Sequence, residues 1–180
     1  AVQLDLDRIG AELRGKRILI TGAGGSIGSE MCRQIACFAP QRLILVEQAE
    51  NNLFEIDREL RARHVKLDVR AYVADITDRQ RIEWIFRSEQ PSSVFHAAAH
   101  KHVPIMEINP GEAVKNNVVG TGIVADACLA LGVGKMVMIS TDKAVNPTSI
   151  MGCTKRVAEM YVQGLTGAGV TQFVTVRFGN

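Results

Sequence analysis

The chain reads as an α/β protein, a doubly wound parallel sheet with strand order 3-2-1-4-5-6. Three observations predict it. Short apolar, β-branched runs alternate with amphipathic helical stretches along the chain. A glycine-rich turn, Thr21-Gly22-Ala23-Gly24-Gly25-Ser26-Ile27-Gly28, follows the first run and opens the first helix. An acid, Glu47, ends the second run. Parallel neighbours need crossover connections, nearly always right-handed, so this alternation places helices on both faces. The order is that of the Rossmann type, with ligands outside the strand carboxyl ends, between strands 1 and 4.

Taken in order, residues 17–21 are the first strand, and Ile27, Met31 and Ile35 give residues 26–38 helical spacing. Residues 43–46 are a second buried strand, followed by a helix over about 52–63. Residues 65–74 alternate as the third strand, and Asp78 opens a helix running through Ile82, Ile85 and Phe86. A fourth strand spans 93–97, one long helix 112–131, and a fifth strand 135–140. A helix over 150–165 and a sixth strand over 170–177 complete the set. Residues 1–15 form a lead-in, an amphipathic helix or extended arm, ahead of a dinucleotide-binding domain over 16–180. The chain is expected to be a piece of a longer protein, cut at both ends and inactive by itself.

Composition excludes several classes. With 47% apolar and 22% charged residues the chain is globular rather than disordered. Its 21 basic and 19 acidic side chains are interspersed, which leaves no electrostatic footprint for nucleic acid. No apolar run approaches the ~20 residues of a membrane span. Cys32, Cys37, Cys128 and Cys153 are far apart and form no Cys-x-x-Cys pair, which fits reduced thiols in a cytosolic compartment. His96, His100 and His102 lie close together, but no acid or thiolate completes a ligand set, so no metal is expected.

The glycine-rich turn carries the clearest chemistry. Gly22 permits the tight turn, Gly25 lets backbone approach a pyrophosphate, and Gly28 allows close helix–strand contact. The helix N-terminus then offers unpaired N–H groups and positive potential to phosphate. Thr21, Gly24, Ser26 and Ile27 complete the cofactor stretch. Glu47 is placed for the adenosine ribose hydroxyls and would repel a 2′-phosphate, favouring NAD over NADP. Arg58 could turn toward the ribose and soften that preference. Asp75 and Ile76, after the third strand, are expected to flank the adenine.

Near the C-terminus, Thr141-Asp142-Lys143 at the end of the fifth strand is followed by Met151 and, four residues on, Lys155. With Thr21-Gly22-x-x-Gly25-x-x-Gly28, Asp75-x-x-Asp78, His96-Ala97-Ala98-Ala99 and Asn117-Val-x-Gly120-Thr121, the chain resembles the extended short-chain dehydrogenases. The stretches 96–107 and 140–148, and the ending Val176-Arg177-Phe178-Gly179-Asn180, are similar to the CapD-type nucleoside-diphosphate-sugar 4,6-dehydratases. That group serves capsule and O-antigen polysaccharide synthesis. Met151 stands where most short-chain dehydrogenases carry the Tyr of a Tyr-x-x-x-Lys pair. A thioether has no proton to give. Met at this place marks the long, membrane-associated branch of the dehydratases.

The resemblance implies a function. Such a lyase oxidises the sugar at C4 with bound NAD(P)+, eliminates water across C5 and C6, and returns the hydride at C6, with UDP-N-acetylglucosamine the expected substrate. It implies Asp142 as the acid for the leaving hydroxyl and Lys143 as the base at C5. Lys155 holds the nicotinamide ribose. The base for the C4 hydroxyl stays open among Thr141, Lys143 and a water. Ala97, Ala98, Ala99 and Asn117 line the nicotinamide side, while Lys101, His102 and Asn180 face the nucleotide-sugar. Met106 and Glu107 read as a cap on the segment that follows them. The resemblance also implies pairing of two copies through 112–131 and 150–165, and a parent at the cytoplasmic face of the bacterial inner membrane. A C4 epimerase or reductase, and a non-catalytic cofactor-binding module, are the competing readings.

Overall fold

The computed structural model describes residues 6–179. Six parallel strands lie in the order β3-β2-β1-β4-β5-β6, as the alternation predicts. They are β1 Arg17–Thr21, β2 Arg42–Glu47, β3 Asp68–Val73, β4 Ser93–His96, β5 Lys135–Thr141 and β6 Gln172–Phe178. Register pairs Thr21 with His96 and Thr141 with Phe178, so the strand carboxyl ends form one edge.

Helices α2 Ser26–Ala36 and α3 Glu50–Arg63 cover one face. There Ile18, Ile20, Leu43 and Leu45 meet Ile35, Leu53, Ile56 and Leu60. Helices α4 Arg79–Glu89, α7 Thr121–Ala130 and α8 Ile150–Gly164 cover the other. On that side Leu19, Ile44, Val94, Met136 and Met138 pack on Ile82, Phe86, Val124 and Val162. The change of face follows from handedness: the chain moves outward from β1 to β3, then from β4 to β6 in the opposite direction. Central strands buried on both faces read as continuous apolar runs for this reason.

The lead-in contains α1, Leu6–Leu13. Leu13 belongs to the α2-face core and Ile9 packs against it, so α1 is a helix docked on the domain rather than an extended arm. Residues 1–5 lie outside the described chain.

Expected boundaries shift by one or two residues at several elements, the sixth strand among them, and by more at two. The third strand begins at Asp68, not at 65. The Leu67 amide donates to the His64 carbonyl at 2.9 Å in a turn, and Val65 is exposed, so the alternating pattern overran the strand. The long helix expected over 112–131 is three pieces: α6 Pro110–Val114, a π-helical segment Lys115–Gly120, and α7. The wider π turn leaves the adjacent Asn116 and Asn117 both buried, and such segments cluster at functional sites. Ahead of them, α5 spans Val103–Ile108, with Pro104 in its first turn.

Helix starts follow local chemistry. Asp78 caps α4 by accepting from the Arg81 amide at 3.0 Å, and Ser149 caps α8 by accepting from the Gly152 amide at 3.1 Å. Gly25, extended, precedes α2 with no side-chain cap, which leaves the first amides of that helix without a protein acceptor from a cap.

Candidate active site

The glycine-rich turn is packed against the start of the loop after β4. Gly22 has φ +66°, and a Cβ there would lie 2.7 Å from the Ala98 Cα. A Cβ on Gly28 would lie 1.9 Å from the Gly22 carbonyl oxygen. Backbone alone fits at both positions, and the resulting turn borders an open groove of about 160 Å³ ahead of α2. Gly22, Gly25, Glu47, Ile76, Ala97, Ala98 and Ala99 line it. So do Gln48, Asn52, Ala74 and Asn116, which sequence reasoning did not single out. The helix amides left without a cap and a turn that a side chain would block both suit a dinucleotide.

Other predicted cofactor residues are placed differently. Glu47 is buried, and its carboxylate accepts from the Gly24 amide at 3.1 Å and the Ala49 amide at 3.0 Å. It therefore braces the turn as well as lining the groove. Arg58 is paired with Glu55 and stacked over Phe54, away from the groove lining. Asp75 is exposed, and its carboxylate accepts from the Thr77 amide at 2.8 Å, a local turn brace. Ser26 is exposed at the start of α2. The Ile27 side chain lies on the far side, with Met31, Phe95 and Val137; only its backbone belongs to the cradle.

A buried polar chain fixes the cleft between β1 and β4. His96 bridges the Thr21 hydroxyl (Nδ1, 2.7 Å) and the Thr121 hydroxyl (Nε2, 2.9 Å). Complete burial, with a contribution from the Lys155 charge, pushes its pKa down to about 3, so the ring is neutral. Asn117 accepts from the His100 amide at 2.8 Å and donates to the His100 carbonyl at 2.9 Å and the Thr154 hydroxyl at 3.1 Å. Its side chain clamps the loop after β4 to α8.

At the carboxyl end of β5, Thr141 donates to Asp142 Oδ1 at 3.0 Å and accepts from the Lys143 amide at 3.3 Å. Asp142 and Lys143 start a 3₁₀ turn, exposed, with Nζ and Oδ1 3.8 Å apart. An acid and an amine thus stand side by side, both exposed, at the sheet edge. Lys101 and His102, after β4, are exposed too. Asn180 lies outside the described residues.

Met151 and Lys155 share the inner face of α8, each 4% exposed. Met151 packs with Met106 and Ala113. Lys155 Nζ donates to the Ile139 carbonyl at 2.8 Å. Burial lowers its pKa to about 8, and the Glu159 charge opposes that shift. Glu107 corrects an expectation. It caps α8 rather than the segment after it, accepting from the Ile150 amide at 2.7 Å. Glu159 was missed, although its place four residues after Lys155 was a signal for it. Among the described residues no His/Cys/Asp/Glu group could hold a metal, and no helix is long and apolar enough to cross a membrane.

A Rossmann sheet with this turn, and a lysine one turn into the helix after β5, defines the short-chain dehydrogenase class of dinucleotide-binding domains. The chain belongs within it to the family described as polysaccharide biosynthesis protein, whose pattern matches residues 18–180. It is 50% identical to the capsular polysaccharide biosynthesis protein CapD of Staphylococcus aureus, over 99% of this chain and 30% of that protein. It is 35% identical to a UDP-N-acetylglucosamine 4,6-dehydratase (inverting) of Campylobacter jejuni, over 92% of this chain and 49% of that enzyme. Pen from Bacillus thuringiensis superposes with a TM-score of 0.85 at 34% identity, over 93% of this chain and 51% of Pen. The chain thus spans about half or less of the length of these relatives, and the relatives named for an activity include UDP-N-acetylglucosamine 4,6-dehydratases and UDP-glucose 4-epimerases.

Proposed function

We propose that this chain is the dinucleotide-binding part of a UDP-N-acetylglucosamine 4,6-dehydratase serving capsule or O-antigen polysaccharide synthesis. The observation that carries the reading is the exposed Asp142–Lys143 pair at the end of β5, with Met151 in place of a phenol. Elimination needs an acid and a base together, whereas an epimerase or reductase ordinarily uses the tyrosine that is absent. The Campylobacter relatives named as inverting 4,6-dehydratases support the substrate.

In this reading NAD, or alternatively NADP, would supply the hydride exchange between C4 and C6. Thr21, Gly22, Gly24, Gly25 and Gly28 shape the cradle, and the Ser26 and Ile27 amides at the start of α2 would hold the pyrophosphate. Glu47 meets the adenosine ribose, Asp75 and Ile76 the adenine, and Ala97 to Ala99 with the braced Asn117 shape the nicotinamide side. Lys155 donates to the nicotinamide ribose. Asp142 protonates the departing C6 hydroxyl while Lys143 removes the C5 proton. Thr141, hydrogen-bonded to Asp142, is the nearest hydroxyl to the missing phenol's task. Lys101, His102 and Asn180 face the nucleotide-sugar. The parent sits at the cytoplasmic face of the membrane and pairs through α7 and α8, where Val157, Met160 and Tyr161 are exposed.

The test uses the full-length parent with UDP-N-acetylglucosamine in deuterated water. A 4-keto-6-deoxy product carrying deuterium at C5 is expected. A C4-epimerised product without deuterium would sink the reading, and so would turnover that survives Asp142→Asn and Lys143→Ala.

A further inference from the structure

The segment that follows Lys101 and His102 meets α8 through a joint of its own. Met106 of α5, Ala113 of α6 and Met151 of α8 form a small buried cluster, separate from the cores on the two sheet faces, with Val103 and Ile150 packed against it. Beside this cluster the Glu107 carboxylate accepts from the Ile150 amide at 2.7 Å, across 43 residues of sequence. Ser149 already serves α8 as its local cap, accepting from the Gly152 amide at 3.1 Å. A second acceptor supplied by a distant helix does something a local cap does not: it fixes where α8 begins relative to α5. The same first turn of α8 is close-fitted to the acid–amine pair. A Cβ on Gly152 would lie 2.4 Å from the Lys143 carbonyl oxygen and 3.1 Å from the Pro147 Cβ. The Asp142–Lys143 turn therefore rests on α8 backbone against backbone, and a shift of the helix start is passed to the pair, because close packing transmits displacement.

We propose that Glu107 is a positioning residue for the Asp142–Lys143 pair. By holding the Ile150 amide it sets the first turn of α8, and through Gly152 that turn sets the Lys143 backbone. Glu107 stands on α5, directly after Lys101 and His102 in the chain, so the same bond keeps those two residues in one frame with the pair. The inference rests on Asp142 and Lys143 as the acid and base of the proposed reaction. Reacting groups misplaced by ~1 Å can lose about a hundredfold in rate, so one hydrogen bond at this joint is enough to matter.

The experiment compares Glu107→Ala, which deletes the acceptor, with Glu107→Gln, which keeps an oxygen in its place. Both side chains are exposed, so both variants should fold. Thr171→Ala is the stability control, since it removes a buried bond to the Cys128 carbonyl (3.1 Å) at the amino end of β6, away from the joint. In the 180-residue chain, amide chemical shifts locate the disturbance. In Glu107→Ala they should move at Ile150 and also at Asp142, Lys143 and Ala144, and in Glu107→Gln they should return to the wild-type positions. In the full-length parent, turnover of saturating UDP-N-acetylglucosamine should fall about 10–100-fold in Glu107→Ala and stay within about threefold in Glu107→Gln. Thr171→Ala should leave it unchanged below the melting temperature. Shifts confined to α5 and Ile150, or a turnover loss no larger than that of Thr171→Ala, reduce Glu107 to a helix cap and overturn the proposal. Equal losses in the Ala and Gln variants overturn it too, because the bond would then not be what matters. Shifts that reach the pair, in a parent whose wild type gives no 4-keto product, overturn the dehydratase reading and leave the positioning role standing.

Discussion

Replacing Gly28 with alanine isolates the close approach on which the phosphate cradle depends. The new methyl would sit 1.9 Å from the Gly22 carbonyl oxygen and 2.7 Å from its carbon. An ordinary carbon–oxygen contact is about 3.3 Å, so the turn must retreat by more than ~1 Å. Gly22 has little room to yield, since its own Cα hydrogens face the Ala98 backbone. Overpacking of this kind costs about 1–3 kcal/mol, offset by roughly 1 kcal/mol of helix propensity. A domain of this size loses about 2–4 °C of melting temperature per kcal/mol, so Gly28→Ala should melt a few degrees lower. NAD+ affinity should fall further, by about tenfold or more, because the displaced amides are the proposed phosphate donors. Gly164, at the end of α8, is the control: nothing lies within 4 Å of its added Cβ. Gly164→Ala should raise stability by about 0.5–1 kcal/mol and leave binding alone. Differential scanning calorimetry and NAD+ titration read both. Unchanged melting and affinity in Gly28→Ala would refute the reasoning, as would an equal loss in Gly164→Ala.

Three further predictions concern the rest of the site. His96 has a folded pKa of about 3 against an ordinary 6.5, so below pH 6.5 only the unfolded chain takes up its proton. Stability is therefore full above pH 6.5 and should fall by about 1.4 kcal/mol per unit as pH drops toward 5, a slope that urea midpoints would lose in His96→Asn; equal slopes in both proteins would contradict it. Met151→Ala should cost about 2–4 kcal/mol in urea unfolding, since Met106 and Ala113 would face a cavity, and a loss under 1 kcal/mol would mean that the cluster is loosely packed. Asp142→Asn and Lys143→Ala should each leave stability within about 0.5 kcal/mol, because the pair is exposed. In the full-length parent the same changes should cut turnover by about 10²-fold or more, which product assays would show.

Much of this protein was legible before its fold was known. The glycine spacing from Gly22 to Gly28 names a backbone geometry, because a turn that rejects a Cβ leaves the residue type no choice. Glu47 and Ile76 line the groove because one ends a strand and the other follows the end of one, and strand ends in a parallel sheet share one edge. Met151 and Lys155 were visible as a helical pair. Boundaries were less legible: the period of 112–131 is that of an ordinary helix, and nothing in it marks the π turn that buries Asn116 beside Asn117.

What the sequence alone determined is the sheet order, the position of the cradle and the set of groups at its edge, since these follow from local periodicity and from handedness. Only the tertiary structure decided which of those groups are buried against protein atoms and which face solvent. The Glu47 carboxylate, the Asn117 amide and the His96 ring bind protein atoms from distant elements, whereas Asp142 and Lys143 stay exposed. It also brought Glu107 to the start of α8 and Arg177 to Glu159. The physical reason is that hydrogen-bond partners across 17 to 75 residues are set by packing, to which no window of sequence has access.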